Sequence, residues 1–366
     1  MRFALAPLFL CSLAPLAAQA TLADLQSTFR AEAQRQAASS ATPAQRTELL
    51  NQQIAQLQKF LAEAKGDDRW NGRLMLAEMQ LVGGSRKTAA ETLKTIDSKE
   101  AGALLLTSAA AMAQHLNLRD VREAWLTAAV AKDAPVADRL AMARLLMTVL
   151  HEVERSETIF KDLLAKAPDD EQKAHVLWHR ADAMRDREDL PDNAGFDELE
   201  KVAKELPATY WGSVAKDRLR ATRLQRGEPA IEFRARTRKG EDWALADQRG
   251  KVVVLVFWSA ADRDLPTLLA LLADLEKQGK GPLAIVGINL DRDDAAIAAA
   301  VKLHKIDFPV VGEGKGIQTD AALRWMVEGP LVHVIDTAGN VEALGVHAGT
   351  ADARAELMDA VARARK

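Results

Sequence analysis

From Thr21 to about Gln225, apolar residues return at spacings of three and four, and turn-forming residues separate the runs. This pattern puts one apolar stripe on each of a succession of helices. In Arg73–Asp97, Leu74, Leu76, Ala77 and Leu81 line a first helix, Gly83-Gly84 makes a turn, and Ala89, Ala90, Leu93 and Ile96 line a second. The same two-helix plan recurs over Ala103–Pro135 and Ala137–Asp170. It recurs again from Ala174 to Asp186 and, after a loop around Leu190-Pro191-Asp192-Asn193, from Phe196 to Leu219. Near Gln225-Arg226-Gly227-Glu228-Pro229 the pattern changes. Strands are expected at Ile231–Arg236, Val252–Phe257, Leu283–Leu290, Phe308–Val311, Leu331–Ile335 and Val341–Leu344. Helices are expected at Pro266–Lys277, Asp293–His304, Thr319–Met326 and Ala351–Arg365. Continuous apolar strands joined by helices imply a sheet covered on both faces. The expected architecture is an all-α N-terminal domain over residues 21–225, then an α/β domain over 227–366 with a central mixed sheet flanked by helices.

The helical part has a longer period. Pro135 and Pro168 each fall just past a second helix, which gives a two-helix unit of about 34 residues. In its pattern of small and large residues this unit resembles the tetratricopeptide repeat. The resemblance implies stacked helix pairs that share a core and present a concave face to a protein partner.

Composition narrows the function. The chain has 366 residues, is 48% hydrophobic and carries a net charge of −3 with 28% charged residues. Two domains with real cores fit that length. The mixed charge leaves no strongly basic face, so a nucleic-acid partner is not expected. Residues 1–20, MRFALAPLFLCSLAPLAAQA, combine Arg2, an apolar run from Phe3 to Leu16 and the small-x-small end Ala18-Gln19-Ala20. They read as a cleaved secretory signal, which places the protein across the inner membrane, in the periplasm. No later run is apolar enough to cross a membrane. Cys11, the single cysteine of the chain, lies inside that segment. The expected mature chain has no thiol for a disulfide, a nucleophile or a metal.

Four stretches of the C-terminal part carry a second resemblance. They are Gly227-Glu228-Pro229-Ala230-Ile231-Glu232-Phe233, the strand Gly250-Lys251-Val252-Val253-Val254-Leu255-Val256-Phe257-Trp258, the strand Ile285-Val286-Gly287-Ile288-Asn289-Leu290-Asp291, and Val327-Glu328-Gly329-Pro330-Leu331-Val332-His333-Val334-Ile335-Asp336-Thr337-Ala338-Gly339. In this order they resemble the thioredoxin fold, and within it the TlpA/ResA-like and redoxin (AhpC/TSA) branch, from Gly227 to the C-terminus. The resemblance implies thiol–disulfide oxidoreductase or peroxidase chemistry in cell redox homeostasis. In active members, F-W-A-x-W-C-x-x-C sets the first cysteine at a helix N-terminus, where free N–H groups and the helix dipole lower its pKa. Counted forward from Phe257-Trp258, the two cysteine positions fall on Asp262 and Leu265; counted back from Pro266 as the motif's helix proline, they fall on Trp258 and Ala261. The anchors differ by about one helical turn, so the segment is expected to be shortened there. Neither register gives a cysteine. Pro330 corresponds to the family's cis-proline, with one residue missing between Gly329 and the proline. In relatives that proline presents a backbone edge to an extended peptide, a mode that needs no sulfur.

The sequence therefore points to an exported, redox-inactive binding or scaffold module. The helical repeats would hold a protein or peptide partner, and Trp258, Asp262, Gly329 and Pro330 would form a second binding surface at the former redox site. No catalytic residue, cofactor or metal is expected. Asp262 or Asp264 fits as a helix cap, and Ser259 has no G-x-S-x-G context. His175 and His179 stand at i and i+4, a spacing that can hold a metal, but the glutamate of the metalloprotease motif is missing and a repeat helix face accounts for them. Gly312-Glu313-Gly314-Lys315-Gly316 lacks phosphate-loop spacing. Arg234, Arg236 and Arg238 read as charges on an edge strand, and Asp291, Asp293 and Asp294 as helix caps rather than a calcium loop.

Overall fold

The computed structural model describes residues 21–38, 42–191, 193–279 and 281–366. The proposed signal segment, with Cys11, and Asp192 of the expected insertion lie outside the described residues. The chain divides into two compact units between Ala128 and Ala129.

The first unit is helical: α1 Leu22–Ala38, α2 Pro43–Leu61, α3 Gly66–Val82, α4 Arg86–Leu93, α5 Ala103–His115 and α6 Arg119–Ala131, whose last turn crosses the division. The helix pairs fall where the apolar periodicity put them. Thr42 caps α2 by accepting from the Gln45 amide while the Gln45 side chain accepts from the Thr42 amide, a reciprocal capping box. Leu22, Phe29, Leu57 and Leu76 form a buried cluster shared by three of these helices.

The second unit opens with α7 Val136–Thr148, α8 Val153–Ala165, α9 Asp170–Arg185, α10 Phe196–Glu205 and α11 Tyr210–Ala221. A two-stranded ribbon follows, β1 Arg234–Arg236 against β2 Asp242–Ala244. Then come β3 Val252–Trp258, α12 Leu265–Lys277, β4 Leu283–Asn289, α13 Asp294–Leu303, β5 Val310–Val311, α14 Asp320–Trp325, β6 Leu331–Ile335, β7 Val341–Val346 and α15 Ala353–Ala364. The sheet order is β5-β4-β3-β6-β7. β3 runs parallel to β4 and antiparallel to β6, so the mixed sheet expected from the sequence is present with β3 at its centre. β2 was not expected: Asp242-Trp243-Ala244 is too short to show an alternation.

Each face of the sheet has its own helices. Val252, Val254, Val256 and Trp258 point to the side covered by α12, α13 and α15. Val253, Leu255 and Phe257 point to the side covered by Phe233, Trp243 and α14. All seven residues of β3 are buried, as a continuous apolar strand demands. On α12, Leu268, Leu271, Leu272 and Leu275 keep a helical stripe on the sheet.

The compositional break near residue 226 is not where the chain divides into compact units. Leu323 of α14 is buried among Trp178, Leu199, Val214 and Leu219 of α9, α10 and α11, and Leu224 joins the core beneath the sheet. Arg324 on α14 reaches Asp217 (2.6 Å) and Ser213 (2.8 Å) on α11. A buried ion-pair network adds a second tie: Asp182 (7% exposed) receives Arg144, Arg185 at 3.1 Å and Arg218 at 3.2 Å, and Arg185 continues to Glu328 at 2.8 Å.

Candidate functional site

The site follows from how β3 ends. Residues 252, 254, 256 and 258 share one face of the sheet, so Trp258 continues the row of three valines into the core and is 1% exposed. Its indole fits because residue 287 is glycine: a Cβ there would lie 2.8 Å from Trp258 Nε1 and 2.7 Å from the Phe308 ring. Trp258 is therefore part of the core and not, as expected from sequence, of a docking surface. The two-residue period already contained this signal.

Beyond Trp258 a loop runs over Ser259–Asp264, and Asp291 organises its start. The Asp291 carboxylate accepts from the Ser259 hydroxyl (2.6 Å), the Ala260 amide (2.7 Å) and the Asn289 side-chain amide (2.7 Å). Asp291 is thus a loop brace rather than a helix cap. Asp293 does cap α13, accepting from the Ala295 and Ala296 amides, while Asp294 pairs with Arg238. Ser259 Oγ also accepts from the Ala261 amide, at 3.2 Å.

Helix α12 begins at Leu265, with Pro266 in its first turn, where a missing N–H removes no helical hydrogen bond. Only Leu265 precedes that proline within the helix. Of the two forward-counted positions, Leu265 is buried beneath the helix start, while Asp262 lies in the loop and its Oδ1 accepts from the Asp264 amide at 3.0 Å. Asp264 stands at the helix N-cap without making the side-chain cap expected of it. Its carboxylate instead lies over Gly349, where a Cβ would meet Oδ2 at 2.3 Å.

The loop before β6 lies beside this helix start. Among the described residues every peptide bond is trans, so Pro330 does not reproduce the cis-proline of the resemblance. With one residue fewer, the chain turns from α14 into β6 through Met326, which adopts φ 55°, and through the Glu328–Arg185 ion pair. A cavity of about 240 Å³ separates the two loops, lined by Asp262, Asp264, Leu268, Pro330, Leu331 and His347. His347 Nδ1 lies 3.1 Å from the Pro330 carbonyl. The structure thus brings Asp262 and Pro330 to one cavity, while Gly329 is not among its lining residues and Trp258 turns away. Asp264 and His347 were missed; His347 comes from the end of β7, and nothing local in the sequence ties it to Pro330.

Under the cavity's β6 wall sits His333, 5% exposed, stacked on Trp325 at 5.0 Å and accepting the Gly345 amide on Nδ1 at 2.9 Å. Burial, helped by the nearby His347, lowers its pKa to about 3. Burial and His175 likewise lower His179 to about 4. Both are neutral when folded, and the unfolded chain takes up their protons near the ordinary histidine value of 6.5. The unfolded state therefore gains about 1.4 kcal/mol per pH unit from each as pH falls below 6.5. Denaturation midpoints at pH 7 and pH 5 should reveal a loss of about 2 kcal/mol per histidine. His333→Phe should remove its own share, about 2 kcal/mol, from the total loss, and an unchanged pH dependence would contradict it.

The strand order and the helices on both faces of the sheet give this part of the chain a thioredoxin-like fold, with a loop over Ser259–Asp264 at the end of β3. Residues 226–344 match the model of the AhpC/TSA family. A thioredoxin-like protein, YneN, of Bacillus subtilis (strain 168) is 26% identical over 130 residues, 35% of this chain and 74% of its own. Among solved structures, a candidate thiol:disulfide interchange protein DsbE from Chlorobium tepidum is 24% identical, with TM-score 0.34, covering 38% of this chain and 98% of its own. The thioredoxin domain of a thiol-disulfide oxidoreductase from Bacteroides vulgatus is also 24% identical, with TM-score 0.32, covering 38% of this chain and 99% of its own.

Proposed function

We propose that this protein is an exported binding or scaffold module whose thioredoxin-like domain no longer carries out dithiol chemistry. One observation carries the reading: in neither register of the resemblance, Asp262 with Leu265 or Trp258 with Ala261, does a cysteine stand where the reactive pair is expected, and the single cysteine of the chain, Cys11, lies within the proposed signal. A disulfide exchange needs an attacking thiolate and a second sulfur to resolve the mixed disulfide. A carboxylate and a buried leucine supply neither. The tetratricopeptide-like helices would hold a protein or peptide partner in the periplasm, and the cavity between Asp262 and Pro330 would add a second contact. No helix among the described residues is long and apolar enough to cross a membrane. Nucleic acid, a cofactor and a membrane span after signal cleavage have no place in this proposal.

The AhpC/TSA match favours a second reading, a thiol–disulfide oxidoreductase or peroxidase. Insulin reduction and thiol-dependent peroxide consumption by residues 21–366 separate the two. The expected result is no turnover above the protein-free background. Turnover that rises with protein concentration would establish the enzyme and overturn the proposal.

A further inference from the structure

The second unit contains a pair of imidazoles that the site above does not use. His175 and His179 stand one turn apart on α9, both half-buried, and their Nε2 atoms face each other at 3.0 Å. The rings are 4.7 Å apart and inclined at 61°. His175 lies flat against Trp211, at 4.7 Å and 11°, and Trp211 is itself packed on Trp178 at 5.3 Å. This stacking fixes the orientation of the His175 ring. Burial lowers the pKa of both histidines, so each is neutral near pH 7, as a ligand must be.

From this geometry we infer that His175 and His179 form a two-imidazole chelate for a divalent transition metal of the copper(II)–nickel(II) type. Metal–nitrogen bonds are about 2.0–2.1 Å. Two such bonds to nitrogens 3.0 Å apart subtend roughly 90–95° at the metal. That angle suits the cis positions of a tetragonal ion better than the tetrahedral arrangement of structural zinc. Among the described residues no cluster of three or more metal-ligating side chains is present, so water would complete the coordination and the ion would exchange. Glu171, one turn ahead of His175, raises that imidazole's basicity, and its Oε2 is engaged by the Tyr210 amide. Its charge favours a cation beside it. The competing arrangement is a single N–H···N hydrogen bond between the two rings with no affinity for an ion.

Trp211 and Trp178 provide a local readout, since a paramagnetic ion on His175 quenches the indole stacked against it. Untagged protein at pH 7.5 would be titrated with copper(II) and, separately, nickel(II), following tryptophan fluorescence. The expected result is quenching that saturates near one equivalent, with copper bound more tightly than nickel. Zinc should compete without quenching. His175→Gln and His179→Gln should each weaken binding at least as much as the roughly 10–100-fold that follows loss of an orienting partner alone. Circular dichroism would confirm that both variants remain folded; if either is not, competition by zinc against copper in the unaltered protein decides between chelate and hydrogen bond. Absence of saturable quenching, or equal quenching in folded His175→Gln and His179→Gln, would leave only the hydrogen bond and overturn the assignment.

Discussion

Trp258→Ala is expected to lower the stability of the second unit by about 3–5 kcal/mol, the range for emptying a buried aromatic site. The indole is 1% exposed and packs in the same core cluster as Val256 and Leu268. The Gly287 backbone and the Phe308 ring close around it, and neither can easily collapse into the space left behind. Trp258→Phe should cost much less, about 1.5 kcal/mol or below. Phenylalanine keeps most of the volume, and it removes an indole N–H that has no hydrogen-bond partner among the described residues. Guanidinium denaturation of both variants gives the comparison. A Trp258→Ala protein with an unchanged midpoint would return Trp258 to the surface and with it the four-residue docking patch expected from sequence.

The fold was largely legible because its strongest signals are periodic. The row Val252, Val254, Val256, Trp258 and its counterpart Val253, Leu255, Phe257 show two buried faces directly. The stripes of α9 to α11 show helices, though not what they pack against. Leu323 and Leu224 carry no mark that they pack across the compositional break near residue 226. The site was legible only in outline. Pro266 could be placed at the start of a helix, and α12 does begin one residue ahead of that proline. The roles of Asp291 and His347 depend on residues that lie far from them in the chain, and no local spacing encodes such pairs. The proline beside β6 could be placed from the sequence but its isomer could not, and its peptide bond is trans.

Asp182→Ala should be the most damaging single change in the polar interior, at about 3–5 kcal/mol. Asp182 is 7% exposed and receives Arg144, Arg185 and Arg218. Burial alone would depress Arg144, yet the pull of Asp182 and Asp186 raises its pKa overall, so that carboxylate holds a charge the interior would otherwise reject. Without Asp182, Arg218 (5% exposed) would keep Glu328 at 3.8 Å as its ion-pair partner and the Trp178 ring at 4.9 Å, and its Nε already lacks a hydrogen-bond partner among the described residues. Glu328→Ala offers the contrast. Glu328 is 58% exposed, so solvent screens its pairs and the change should cost less than about 1 kcal/mol. The pair Asp182→Leu with Arg218→Met should recover part of the loss, since apolar groups can replace a buried ion pair more cheaply than half of it can be left behind. Because Asp182 lies on α9 while Glu328 precedes β6, the Asp182→Ala defect should appear in the melting of the sheet as well as of the helices. Separate transitions, with the sheet unaffected, would show that the network decorates a contact held by Leu323 and Arg324 alone.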